Sequence, residues 1–132
     1  MRASEGRTSD EAIRSILWTR LPESRLHLQE FEADEQAELD EHQRPFGLRC
    51  WSYLSEIVWW EVFEPALTVG DDELATRCFA VVEELIELGN PDVDEPLDIR
   101  VVEHLCHPKR RATVLRLAGP LLRTRLRRYG VG

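Results

Sequence analysis

No stretch of this chain stays apolar for the roughly 18 residues that a membrane-spanning helix needs. The opening MRASEGRTSDEAIRSILW sets Arg2, Glu5, Arg7, Asp10 and Glu11 where a secretory signal requires an unbroken apolar run. Both absences point to a cytoplasmic protein with no place in a membrane. Cysteine is scarce as well: Cys50, Cys78 and Cys106 form an odd, widely spaced set without a CxxC pair. Such a set suits a reducing compartment and argues against a disulfide framework, leaving each thiol the default role of a small buried apolar side chain.

GxGxxG, Walker-type, GxSxG and HExxH patterns are all missing, so no catalytic residue, cofactor or metal is assigned and the chain is not expected to be an enzyme. No segment alternates apolar and polar residues with period two over a strand's length, and no Asn-Gly or Asp-Gly turn stands between such runs.

What is present is helical. Hydrophobic residues make up 42% and charged residues 32% of 132 residues, enough to fill one core and solvate its surface, so a single domain over 1–132 is expected, with residues 1–8 flexible. Thr8-Ser9-Asp10-Glu11 has capping-box form ahead of Ile13, Ile16 and Leu17, which predicts a first helix over about 9–20. Pro22 opens a second, running to about His42. On it Leu28, Phe31 and Leu39 share one arc, while Glu30, Asp34 and Glu41 share another with Glu38 at its edge.

Pro45 and Gly47 precede Leu48–Phe63, a segment apolar around most of its circumference that belongs in the middle of a bundle or adds an aromatic patch to an interface. Pro65 is expected to end or kink it. Gly70 and the acidic Asp71-Asp72-Glu73 mark the start of a fourth helix, in which Leu74, Cys78, Val81, Val82, Leu85 and Ile86 recur at three and four. Asn90-Pro91 caps and starts a fifth, His107-Pro108 begins a basic sixth, and Gly119-Pro120 separates a seventh that ends near Tyr129-Gly130. Seven segments with short loops imply an all-α irregular bundle of stacked antiparallel hairpins, HEAT-like in form.

The stretch ELATRCFAVVEELIELGNPDVDEPLDIRVVEHL over 73–105, followed by Leu117-Ala118-Gly119-Pro120, resembles a bacterial all-helical domain family of mostly unassigned function. The resemblance lies in Val82-Glu83-Glu84-Leu85, the Gly89-Asn90 turn and Val102-Glu103-His104-Leu105, and more weakly in Leu21-Pro22-Glu23 and the apolar segment after Pro45. It implies a small all-α protein similar to those encoded near polymorphic-toxin genes and taken to act as immunity proteins. The basic tail and Pro96 depart from the family pattern.

Charge suggests the surfaces. Residues 1–99 carry 8 Lys+Arg against 24 Asp+Glu, a net −16, whereas residues 100–132 carry 9 against 1, a net +8. Glu30, Asp34, Glu38 and Glu41 would offer an acidic face to a cationic protein toxin, or form a solvated helix side. Trp59 and Trp60 would anchor a partner, or fill the core. Lys109-Arg110-Arg111, Arg116, Arg123, Arg125, Arg127 and Arg128 would bind nucleic acid, or neutralise the acidic helices. His104, Cys106 and His107 carry metal-capable donors, but a helix would set His104 and Cys106 about 200° apart. The expected function is an immunity-type antitoxin that occludes a protein toxin, with a nucleic-acid-associated regulator or a helical scaffold as alternatives.

Overall fold

A computed structural model describes residues 2–42 and 49–131, with side chains described for 9–41 and 49–131. Among the described residues there are seven helices and no strand. Helix α1 is Arg2–Arg20. A single 3-10 turn, Pro22–Ser24, leads into α2, Arg25–His42. Helix α3 runs without a break through Arg49–Ser52, Tyr53–Phe63 and Glu64–Val69. Helix α4 is Asp72–Glu87, and α5 joins Pro91–Leu97, Asp98–Val102 and Glu103–Leu105. A 3-10 turn, Pro108–Arg110, starts α6, Arg111–Leu117, and α7 is Pro120–Arg127. The seventh helix stops just ahead of Gly130, which has φ 84°.

Side-chain pairs fix how the helices lie. Along α2 and α3, His27 meets Glu61, Phe31 meets Tyr53, and Glu35 meets Arg49, so partner numbers fall as α2 rises and the two run antiparallel. Ser9 accepts from Asn90, Arg20 pairs with Glu84, and Glu23 with Arg77, which sets α1 antiparallel to α4. Helix α3 is central. Tyr53, Leu54, Ile57, Val58, Trp59, Val62 and Phe63 are all buried, and Ile13, Leu17, Leu28, Phe79, Val82, Leu85, Val101 and Leu105 are buried with them in one core. A helix with so little polar surface is stable only when others wrap it.

Two expectations about helix ends are corrected. Thr8 does not cap the first helix, because α1 already begins at Arg2 and Thr8 lies inside it. Pro65 does not stop the third. The turns over Tyr53–Phe63 are π-helical, and the Glu64 N–H reaches back five residues to the Trp59 carbonyl. This wider turn, immediately ahead of the proline, relieves the clash that its ring would make with the carbonyl four residues back. Pro96 is likewise held inside helical Pro91–Leu97, with π-helical Asp98–Val102 directly after it. The expected punctuation at Pro45 and Gly47, and the start at Leu48, lie outside the described residues.

Other boundaries follow the sequence. Gly70 and Gly89 take φ 75° and 62°, a left-handed conformation that glycine adopts without steric cost. Asp71 accepts from the Leu74 N–H and Asn90 from the Asp92 N–H, each capping the helix that follows. Helix α7 is capped from a distance. Gly119 offers no side chain, and the Glu83 carboxylate on α4 accepts from the N–H groups of Leu121 at 2.6 Å and Leu122 at 3.0 Å. A Cβ on residue 119 would stand 2.6 Å from that carboxyl carbon.

Gly119 has φ −77° and ψ 173°, which alanine adopts freely. Gly119→Ala should therefore lower stability by displacing Glu83 from its two amides, a loss of about 1 kcal/mol. In a Glu83→Ala background the same change should be neutral or stabilising, through the lower entropy of the unfolded chain. Urea unfolding of the four variants reads this reversal of sign.

Candidate functional site

The acidic residues near the hairpin core are paired. Glu32 accepts from Arg14 Nε at 2.6 Å, Glu35 accepts from Arg49 Nε at 2.9 Å, and Asp10 accepts from the Cys50 thiol at 2.8 Å. Burial, and then the Asp10 carboxylate, push the Cys50 thiol up to about 12, so it stays protonated. Burial likewise pushes Cys78 up to about 12. Neither is a nucleophile in the folded chain.

The stripe of α2 lies elsewhere. Glu30, Asp34 and Glu41 are exposed and Glu38 is half-buried. Glu38 and Glu41 are engaged in contacts of their own. Glu30 and Asp34, one turn apart, have no ion-pair partner among the described residues. Leu39, expected to pack, is 42% exposed, and Leu26 is 61% exposed. Among the described residues Arg49, where the described part of α3 begins, pairs with Glu35, one turn before Leu39.

Trp59, expected either to anchor a partner or to fill the core, lies in the core. It is 1% exposed, stacked on the His104 ring at 4.7 Å and 8°, and packed on Phe63 at 5.4 Å. Trp60 is 54% exposed. Guanidinium groups lie over the other three tryptophans: Arg14 and Arg25 over Trp18, Arg100 over Trp51 and Arg110 over Trp59. Among the described residues Trp60 has no such cover. It neighbours Glu61, whose partner His27 lies one turn before Glu30 on α2.

Much of the basic tail is spent inside the fold. Arg116 holds Asp72, and Arg125 holds Asp94 and Asp98. Arg123 donates to the carbonyls of Ala118 and Leu115, closing the end of α6. Lys109, Arg111, Arg127 and Arg128 are exposed. None of the tail's ion pairs named here reaches Glu30 or Asp34.

One hollow gathers polar side chains from the bend between α5 and α6. A depression of about 320 Å³ is lined by Glu103, His104, Cys106, His107, Lys109 and Arg110. Helix α5 ends at Leu105, so the helical angle between His104 and Cys106 no longer applies and both reach this lining. Among the described residues no group of three His, Cys, Asp or Glu side chains is placed to hold a metal ion. His107 Nδ1 accepts from the Lys109 N–H at 3.2 Å, a helix cap that leaves Nε2 as the ring's outward donor. Arg110 is 12% exposed, with Glu64 3.8 Å from its Nη2.

No family model, curated protein or solved structure matches this chain. What it does is therefore read from its own surface. Among the described residues no helix is long and apolar enough to cross a membrane. Sequence reasoning named Arg110 only as one of three consecutive cations for nucleic acid, and did not foresee its burial over Trp59. The signals for the hollow were the His104, Cys106 and His107 donors and the His-Pro that starts α6.

Burial, and then the positive charge of Arg110, lower the His104 pKa below 6.5. Between that usual value and the lowered one the unfolded chain binds a proton that the folded chain does not, so stability should fall as pH drops below about 6.5. Replacing His104 with Gln should flatten this slope, as read by chemical unfolding at pH 7.5, 6.5 and 5.5.

Proposed function

We propose that this chain is a bacterial cytoplasmic immunity-type antitoxin that blocks a protein toxin by stoichiometric occlusion. Its docking face is the acidic side of α2. The observation that carries this reading is the pair Glu30 and Asp34, exposed on a peripheral helix and without an ion-pair partner among the described residues, while Asp10, Glu32 and Glu35 nearby are all engaged. Uncompensated carboxylates on one helix side attract a cationic cleft over about a Debye length and speed encounter. Trp60, exposed on the adjoining helix, supplies an aromatic anchor of the type that dominates interface energies. The likeness of residues 73–105 to toxin-associated helical proteins supports the class of partner.

Co-expression with toxins encoded beside its gene tests the reading, and failure to bind or protect against any of them removes it. Within a complex, Glu30→Lys combined with Asp34→Lys should slow association about tenfold or more at low salt, with little change in the stability of the free protein. Unchanged association at low salt would exclude this side of α2.

Exposed Lys109, Arg111, Arg127 and Arg128 favour a second reading, contact with a nucleic-acid backbone. Binding to duplex or single-stranded DNA should then weaken linearly in log–log terms as salt rises. Absence of salt-dependent binding would dismiss it.

A further inference from the structure

Among the described residues, two buried side-chain nitrogens have no hydrogen-bond partner, and both belong to one cluster: Trp59 Nε1 and Arg110 Nε. The Arg110 guanidinium lies over the Trp59 ring at 5.3 Å, and that ring stacks on His104. Stacking holds the guanidinium plane but supplies it no acceptor. Its carboxylate neighbour, Glu64 at 3.8 Å, is beyond hydrogen-bond distance and already accepts from Thr68 at 2.7 Å. A buried cation with an unmet N–H is costly, and native structures rarely leave one without a reason.

The hollow beside Arg110 is lined by His104, His107 and Lys109, all able to donate, with Glu103 as the one opposing carboxylate. A second depression of about 280 Å³, lined by Leu67, Thr68, Lys109, Arg110 and Thr113, lies on the other flank of the same two cations. The donors come from the end of α5 and from three of the four positions that open α6, so they converge from more than one element. A tetrahedral oxyanion presents its acceptors in three dimensions and carries more charge, whereas a carboxylate's acceptors lie in one plane. Arginine supplies a fork and lysine a point charge, the usual division of labour at a phosphate.

We propose that the hollow bounded by His104, His107, Lys109 and Arg110 is an oxyanion site that takes the phosphate group of a small ligand. Trp60 touches His104 at 5.5 Å and remains half exposed at the margin of this cluster, where it offers a face to an attached ring. The site shares only Trp60 with the proposed docking face, and its oxyanion donors owe nothing to the toxin-binding reading.

The test is titration of the purified chain with inorganic phosphate, adenosine monophosphate and acetate at constant ionic strength, followed by NMR of the tryptophan indole N–H and histidine ring signals. Saturable shifts of the Trp59 and His104 signals with phosphate are expected. Tighter binding of the nucleotide would identify a phosphomonoester with a ring, and equal binding would identify free phosphate. Arg110→Gln should weaken binding about tenfold or more, the loss of a charge-assisted hydrogen bond. Because that variant also disturbs a buried contact, exposed Lys109→Gln serves as the second, with His104 and Trp59 signals confirming an intact fold. Non-saturable shifts, acetate binding as tightly as phosphate, or affinity unchanged in both variants would overturn the proposal and leave the two nitrogens to water.

Discussion

Helix α3 is the constraint on which the rest of this molecule depends. It buries residues on nearly every side, so the bundle must surround it, and the order of the other helices follows from which of them can cover which flank. Helix α2 covers one side, reaching from His27 opposite Glu61 to Glu35 opposite Arg49. Helix α5 covers another, placing His104 on Trp59 and Arg100 over Trp51. The aromatic content that would be a hazard on an isolated helix becomes the filling of the core. Continuity through Pro65 matters here, because a break at that point would detach Ala66 from the same core.

Charge is organised around this packing and does not simply cancel between the two halves of the chain. The carboxylates that Arg116 and Arg125 hold belong to α4 and α5, the helices against which α6 and α7 lie. Near the first hairpin, Arg14 and Arg49 serve the inward-facing carboxylates. This local settlement leaves Glu30 and Asp34 facing solvent at one side of the molecule, and Lys109 and Arg111 facing it elsewhere. Paired surface charges add little to stability, so the distribution bears chiefly on what the molecule meets.

The helices were legible because their signals are local. Gly70, Gly89, Asp71 and Asn90 act within one turn of where they stand, and the three-and-four spacing from Leu74 to Ile86 is itself the buried face. The departures depend on neighbours. Leu39 has the spacing of a core residue yet is exposed, because spacing along one helix does not say how far a neighbour covers it. Trp59 and Trp60 are adjacent and chemically identical, and what separates the buried one from the exposed one is which neighbours each meets: Phe63, stacked His104 and Arg110 for Trp59, the edge of His104 and Trp59 itself for Trp60. Pro65 interrupts an α-helix by local rules, which do not foresee that the preceding turns widen. The residues of the hollow at Arg110 stand together in the sequence, but their arrangement was not legible, because it needs the end of α5 and the start of α6 to be folded back beside Trp59.

The contact of Glu83 with the start of α7 joins two stretches that lie far apart along the chain. One is the apolar-Glu pattern of α4, and the other is the Gly-Pro that opens the final helix. Neither has a purpose alone, since the glycine makes room for a carboxylate and the carboxylate takes the place of a capping residue. Evolutionary drift at one position is therefore tied to the other: a lineage that replaces the glycine is expected to shorten the acid or supply a local cap, and the two sites should vary as a pair.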